Sequence, residues 1–373
     1  MNNTHPQINK WLYPFSMLYG IGVALRNHLF DIGLLRSKSY DIPVISIGNI
    51  TVGGTGKTPH TEFLVRKLQE EFKVAVLSRG YKRKSQGFVL ATDKTSAKTL
   101  GDEPWQIKHK FPECYVAVDK DRCHGIEELS RASVAPDLDL ILLDDAFQHR
   151  YVRPSINILL CNYNRPFNED ALMPAGMLRE PIKAKDRANI VIVTKCPVDL
   201  KPMDYRIISK NLSLYPFQKL FFSTMEYDDL QPVFADGAPL PLETLRDNPN
   251  ILLITGIASP RPLEEKIHSY SERFNTLHFD DHHDFSKKDV KQMQTAFNRL
   301  DPEKRIVITT EKDAARMREL AFDDAFKSRL YALPIKVKFL LDGEKELMND
   351  IVKYVRTNSR DNVLHQKQDA KQS

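Results

Sequence analysis

The residues best able to do chemistry lie in the run Thr51-Val52-Gly53-Gly54-Thr55-Gly56-Lys57-Thr58. Glycines at this density let backbone N–H groups converge on phosphate oxygens, and the start of a following helix adds positive potential. Lys57 would then reach the outer phosphates, and the Thr58 hydroxyl suits a magnesium ion. The usual G-x-x-x-x-G-K-[ST] pattern has glycine where this chain has Thr51, but Gly53, Gly54 and Gly56 can supply the positive-φ positions such a turn needs. A second candidate is Asp144-Asp145, at the end of the apolar run Leu138–Leu143. In phosphate-loop enzymes an acid at such a strand end supports magnesium beside the loop Ser/Thr. One terminal aspartate is equally a helix cap; two favour function. Gly101-Asp102-Glu103-Pro104 puts two acids at a helix start. Capping and the helix dipole account for them as well as a carboxylate that takes an acceptor hydroxyl's proton does, and the pattern leaves both open.

Other polar runs are less specific. Arg79-Gly80-Tyr81-Lys82-Arg83-Lys84 has four cations in six residues and fits a phosphate site or a solvated face. Arg122 follows a strand and suits bidentate phosphate contact. Arg179-Glu180 sits in a proline- and glycine-rich loop, as a surface pair or as part of a nucleotide site. His278-x-Asp280-Asp281-His282-His283-Asp284 is the densest ligand-type cluster. Zinc, a histidine–carboxylate base pair and a solvated turn all fit it. Val191–Pro197 ends where a GTPase would carry [NT]-K-x-D, but Pro197 cannot accept hydrogen bonds from guanine, so a GTP-specific switch is disfavoured.

These residues need elements to hold them. Apolar β-branched runs predict strands at Val44–Ile47, Val74–Ser78, Tyr115–Val118, Leu138–Asp144, Ile156–Cys161 and Ile190–Thr194, most with helical segments between them. Continuous apolar strands alternating with helices mean a mostly parallel sheet covered on both faces, with ligands beyond the carboxyl ends of its strands. Residues 41–201 are expected to form this P-loop domain and 202–250 a connecting region with strand character at Leu220–Tyr227. A second, smaller α/β lobe is expected over 251–355, with strands at Ile251–Ile254, Thr276–Phe279, Arg305–Thr309 and Leu333–Leu340. The polar, aperiodic tail 356–373 is expected to be disordered.

Composition agrees with a folded globular chain: of 373 residues 42% are hydrophobic and 28% charged, enough for two domains. A net charge of +5 suits a nucleotide, a phosphorylated substrate or an anionic membrane face, and is too mild to argue for nucleic acid. The four cysteines are scattered without a C-x-x-C pair, which indicates neither a zinc knuckle nor a disulfide framework. Residues 1–40 hold the one membrane candidate, Trp11–Leu25: fifteen mostly apolar residues, closed off by Lys10 and Arg26. A bilayer span needs about twenty. No small-x-small cleavage site follows, and a helix lying among headgroups and one packed on the protein's own core both fit.

Taken together and in order, Asn49–Pro59, Ser78–Tyr81, Gly101–Pro104, Asp144–His149, Leu178–Pro181, Thr255–Ala258, Asp281–His283 and Thr310–Asp313 resemble the successive motifs of the tetraacyldisaccharide 4'-kinase (lipid A 4'-kinase) family. The resemblance spans roughly residues 10 to 340, and that family's loop also begins with threonine. Ala146 stands where the family usually has glycine, and Met177 where proline is usual. The resemblance implies an ATP- and Mg2+-dependent kinase acting on the 4'-hydroxyl of a tetraacylated glucosamine disaccharide 1-phosphate. It implies the cytoplasmic face of the Gram-negative inner membrane, with a membrane-contacting N-terminal helix and two α/β lobes. Position by position, it implies nucleotide contact for Thr51 through Thr58, and catalysis by Asp102 with His282 and Lys57. The metal would belong to Thr58, Asp144, Asp145 and Glu180, and substrate or phosphate contact to Arg79, Tyr81 and Arg122. A P-loop ATPase acting as a switch or assembly factor is the alternative; it leaves the histidine cluster and the aromatic N-terminus without a purpose.

Overall fold

The structure, a computed structural model, describes residues 8–234, 238–247, 250–257, 259–272, 274–281 and 283–372, with side chains described as far as 358. Its strands are β1 (Val44–Gly48), β2 (Val74–Ser78), β3 (Val89–Leu90), β4 (Tyr115–Val118), β5 (Leu140–Asp144), β6 (Ile156–Asn162), β7 (Ile190–Thr194), β8 (Lys219–Tyr227), β9 (Gln231–Pro232), β10 (Asn250–Thr255), β11 (Phe274–His278), β12 (Arg305–Thr310), β13 (Leu330–Leu333) and β14 (Ile335–Phe339). The chain divides into two compact units: Met1–Met225 with Val337–Ser373, and Glu226–Lys336.

The first unit is built on a nine-stranded sheet in the order β14-β8-β7-β6-β1-β5-β2-β4-β3. From β8 to β4, through β1, every pairing is parallel, and β3 is antiparallel to β4. Alternate residues serve opposite faces. Ile45, Ile47, Val74, Val76, Leu140 and Leu142 join one core cluster, whereas Val44, Ala75, Leu77, Ile141 and Leu143 join another. Both faces are therefore dry, which is why these strands read as unbroken apolar runs.

Register does the functional work of this sheet. β1 lies between β5 and β6, and β5 pairs with β1 so that Asp144 stands opposite Ile47. An acid some 85 residues downstream of the phosphate loop thus ends its strand level with the loop's first residues.

The expected domain boundaries differ from the observed ones at the C-terminal side. Leu220–Tyr227 is a strand as expected, but it is a member of the first sheet, parallel to β7. Leu333–Leu340 is interrupted at Pro334, which has no N–H to give a ladder; β13 stays in the second unit while β14 joins the first sheet. The helix Gly343–Gln372 also belongs to the first unit, because Leu347, Ile351 and Val355, four residues apart on one stripe, are fully buried with Phe63 and Phe339. Its backbone runs through the segment expected to be disordered.

The second unit carries the sheet β11-β10-β12-β13-β9, parallel except for β9. Its helices Arg261–His268 and Lys287–Asn298 each bury one stripe: Leu263 and Ile267, and Met293 and Phe297. Among the described residues no helix is long and apolar enough to cross a membrane.

Candidate functional site

The loop between β1 and the helix Lys57–Leu68 is shaped by contacts that leave particular positions no alternative to glycine. A Cβ on Gly48 would meet the Phe147 Cβ at 2.7 Å and its backbone nitrogen at 2.9 Å. Gly56 caps the helix at φ +86°, where a Cβ would also strike the Met225 Cε at 2.5 Å. Gly53 has φ +103°. Thr51, by contrast, is extended and bridges antiparallel to Leu178, so the position that usually calls for glycine needs none here. The neighbouring Val52 N–H donates to the Met177 carbonyl at 2.7 Å, and the Arg179 N–H to the Ile50 carbonyl at 2.7 Å. Met177 adds a bond that proline could not make, from its N–H to Asp170 Oδ1 at 3.2 Å.

Side chains brace the loop from beneath. The Asn49 amide donates to Thr55 Oγ1 at 2.7 Å, and its backbone carbonyl accepts from Gln148 Nε2 at 2.7 Å and from Arg179 Nη2 at 3.1 Å. Arg179 Nη2 also donates to Asn49 Oδ1 and, at 3.0 Å, to Asp145 Oδ1. His60, fully buried on the loop's helix, lies 2.7 Å from the Gly56 carbonyl through Nδ1 and 2.9 Å from Ser223 Oγ through Nε2. A carbonyl only accepts, so the ring carries its proton on Nδ1 and accepts from Ser223. Burial keeps it neutral, with a pKa lowered to about 4.

Electrostatics set the two strand-end acids apart. Burial, and then the charge of Asp145, push Asp144 up to about 6 against the pull of Lys57, while Thr61 Oγ1 donates to Asp144 Oδ1 at 3.1 Å. Burial works against ionisation of Asp145 too, but Lys57, 3.8 Å away, and Arg179 outweigh it and hold that carboxyl below its usual range. Asp145 sits at φ +47°, a left-handed conformation that costs a non-glycine residue about 1 kcal/mol or more and that neighbouring structure must enforce. Ala146 needs no such backbone, which removes the reason to expect glycine there.

Arg122 is 3% exposed, and burial draws its guanidinium down to about 10, with Asp144 and Asp145 as the acids that act most strongly on it. Its Nη1 donates to the carbonyls of Asp119 and Lys120. Asp102 and Glu103 open the helix Asp102–Lys110 behind Gly101, whose φ of +96° turns the chain at that point and where an added Cβ would lie 3.1 Å from the Tyr81 carbonyl oxygen. Glu103 is among the charges acting on Asp144, so this helix start faces the same group of acids. Lys57, Glu103, Arg122, Asp144 and Asp145 are thus brought within electrostatic reach of one another, although separated in sequence by up to 88 residues, and Asp102 stands next to Glu103 at the helix start.

Arg79 and Tyr81 are exposed beside that helix start, whereas Arg83 is spent on the carbonyls of Val118 and Gly87. Glu180 is 1% exposed with Oε2 bonded to Arg187 at 2.6 Å, while Oε1 is buried without a hydrogen bond. That pairing was not foreseeable from the Arg179-Glu180 dipeptide. His282 lies outside the described residues. Its neighbours are paired in the second unit, His278 with Glu264 at 3.1 Å and His283 with Asp289 at 3.0 Å.

A family profile described as tetraacyldisaccharide-1-P 4'-kinase matches residues 8–356. The chain belongs to that family. Relatives named tetraacyldisaccharide 4'-kinase include one from Phocaeicola vulgatus, 54% identical over 355 residues, covering 95% of this chain and 97% of the relative. One from Bacteroides fragilis is 52% identical and covers all of both chains. Among solved structures, an "apo" form of LpxK from Aquifex aeolicus in complex with ATP matches with a TM-score of 0.71 at 29% identity, over 93% of this chain and 99% of that one.

Within this kinase family chain, two features escaped sequence reading because nothing local announces them: the His60–Ser223 brace, and Asn49 as the hub under the loop. A cluster of Asp121, Cys123 and His149 is close enough to share a cation, but burial and the nearby Arg122 push His149 down to about 4, with Arg26 and Arg79 adding to the effect. Three arginines make that spot unfavourable for a metal.

Proposed function

We propose that this chain transfers the γ-phosphoryl group of ATP to the 4'-hydroxyl of a tetraacylated glucosamine disaccharide 1-phosphate, giving lipid IVA in lipid A synthesis. The observation that carries this reading is the alignment of Asp144 and Asp145 with the phosphate loop, Lys57 lying 3.8 Å from Asp145. The loop backbone from Gly53 to Thr58 holds the triphosphate, the Val52 N–H being taken by the Met177 carbonyl, and Lys57 balances charge on the outer phosphates. Thr58, Asp144 and Asp145 offer the hard oxygen donors magnesium prefers. The raised pKa of Asp144 marks a site short of positive charge, which fits a cation there. Bound magnesium would neutralise charge on the β- and γ-phosphates. Glu180, with Oε1 buried and without a hydrogen bond, is the remaining carboxylate proposed for the metal.

Asp102 accepts the 4'-hydroxyl proton as that oxygen bonds to the γ-phosphorus; the bond to the β–γ bridging oxygen breaks and ADP leaves. Arg122, with Arg79 and Tyr81 at the rim, supplies phosphate or substrate contact. The share of His282 in this step rests on the family resemblance.

The N-terminal helix Tyr13–Asp31 is built inside out, which supports a lipid surface as its partner. It buries Ser16, Gly20 and Phe30, with Ser16 Oγ donating to the Leu172 carbonyl and Tyr19 Oη to that of Arg179. It exposes Phe15, Met17, Leu18, Ile21 and Leu25, preceded by Trp11 at 90% exposure. Such a helix rests in the headgroup region and delivers an acylated substrate to the cytoplasmic face of the inner membrane. A switch or assembly ATPase has no use for that face. The test is phosphate transfer from labelled ATP to the detergent-dispersed disaccharide: product that requires the lipid supports the reading, and lipid-indifferent hydrolysis overturns it.

A further inference from the structure

Strand β7 ends at Thr194, and Lys195 follows it beside the middle of the phosphate loop. The Thr194 hydroxyl donates to the Thr55 carbonyl at 2.8 Å. On either side, the Thr194 carbonyl accepts from the Tyr163 N–H and the Ser223 carbonyl from the Cys196 N–H, both at 2.9 Å. Between these anchors Lys195 is left-handed, φ +58°. A lysine gains nothing from that conformation, so the turn is imposed by its surroundings. The turn aims the ammonium at the loop: a Cβ built on Gly54 would lie 3.7 Å from Lys195 Nζ.

Among the described residues Lys195 has no ion pair, hydrogen bond or aromatic partner. Burial alone acts on its basicity, and lowers it. A cation stripped of part of its water without a counter-charge is unfavourable unless a ligand brings the anion. The loop under it is the element of this chain that gathers anions. The same residue stands in the T-K-C-P run, where Pro197 removes the acid of a guanine-reading signature but leaves the lysine in place.

We propose that Lys195 is a nucleotide-binding residue, its ammonium meeting the phosphate chain of the nucleotide seated on Thr51–Thr58. This rests on the reading of that loop as the ATP site. The test is direct binding of ATP and ADP, by calorimetry, to the wild-type chain and to Lys195→Met, Lys195→Arg and Lys57→Met. Lys195→Met is expected to weaken both nucleotides about tenfold, as loss of one charge-assisted contact does, and Lys195→Arg to stay within about threefold. The salt dependence of ATP binding should flatten in Lys195→Met, and KM for ATP should rise while kcat changes by less than about threefold. Lys195→Met binding within about twofold of wild type, with Lys57→Met impaired, would remove Lys195 from the site and leave the loop reading intact. Equal losses in Lys195→Met and Lys195→Arg with a lowered melting temperature would assign Lys195 to packing and overturn the proposal. Failure of the wild-type chain to bind ATP would remove the reading beneath it.

Discussion

Replacing Asp144 by asparagine should make the nucleotide-free protein more stable and inactive at once. Asp144 is 5% exposed, and its carboxyl is pushed from 3.8 to about 6 by burial and by Asp145. The folded state therefore holds a proton that the unfolded chain has released, so between pH 4 and 6 stability falls as pH rises. Across that window the loss is worth ~3 kcal/mol, at 1.36 kcal/mol for each factor of ten in acidity. Asparagine keeps an oxygen for Thr61, whose hydroxyl bond is 3.1 Å long, and removes the charge that burial penalises. Thermal unfolding of Asp144→Asn and wild type, without nucleotide or metal, should show the variant higher by about 5 °C at pH 8, with the gap closing near pH 4. Lipid phosphorylation by the variant should fall by at least about a hundredfold. A variant no more stable than wild type at pH 8, or a gap independent of pH, would refute the assignment of electrostatic strain to this carboxylate.

Asp102→Ala should lower kcat far more than it weakens ATP binding; turnover within about tenfold of wild type, only ~1.4 kcal/mol in barrier, would remove Asp102 as the base. Gly48→Ala should destabilise by about 1–3 kcal/mol, measured by urea unfolding, because its methyl must enter space held by the Phe147 backbone, and an unchanged midpoint would contradict that packing. Serine at Trp11, Phe15 and Leu18 together should reduce binding to anionic phospholipid vesicles about a hundredfold or more while the melting temperature stays constant. Undiminished vesicle sedimentation would show that the exposed face serves something else.

Much of this site is readable in one dimension because its parts are local. A strand, a glycine turn and a helix start lie within fifteen residues, and an anion site of this kind is legible locally because the amides that would bind phosphate belong to the turn itself. The Asp144-Asp145 terminus is legible for a similar reason: an apolar run marks a buried strand, and acids at its end must emerge at the sheet's edge. The first sheet's strands through β7, apart from the two-residue β3, were visible as apolar runs because both faces are covered and no polar alternation dilutes the signal. Helix starts such as Asp102–Glu103 stayed ambiguous, because a carboxylate that caps and one that catalyses are the same residue until its neighbours are known.

Those neighbours are decided by pairing between distant segments, which no local pattern encodes. Only the β1–β5 register sets Asp144 level with Ile47, and only the strand order brings Thr194 and Lys195 against Thr55 and Gly54. The return of β14 and the final helix to the first unit and the His60–Ser223 brace belong to the same class. By itself the amino-acid order determined the long strands of the first sheet and the glycine turn and helix start that follow the first of them. The tertiary structure decided which charges share low-dielectric space, and hence that Asp144 is raised, Asp145 lowered and Lys195 left facing the loop without a counter-ion among the described residues.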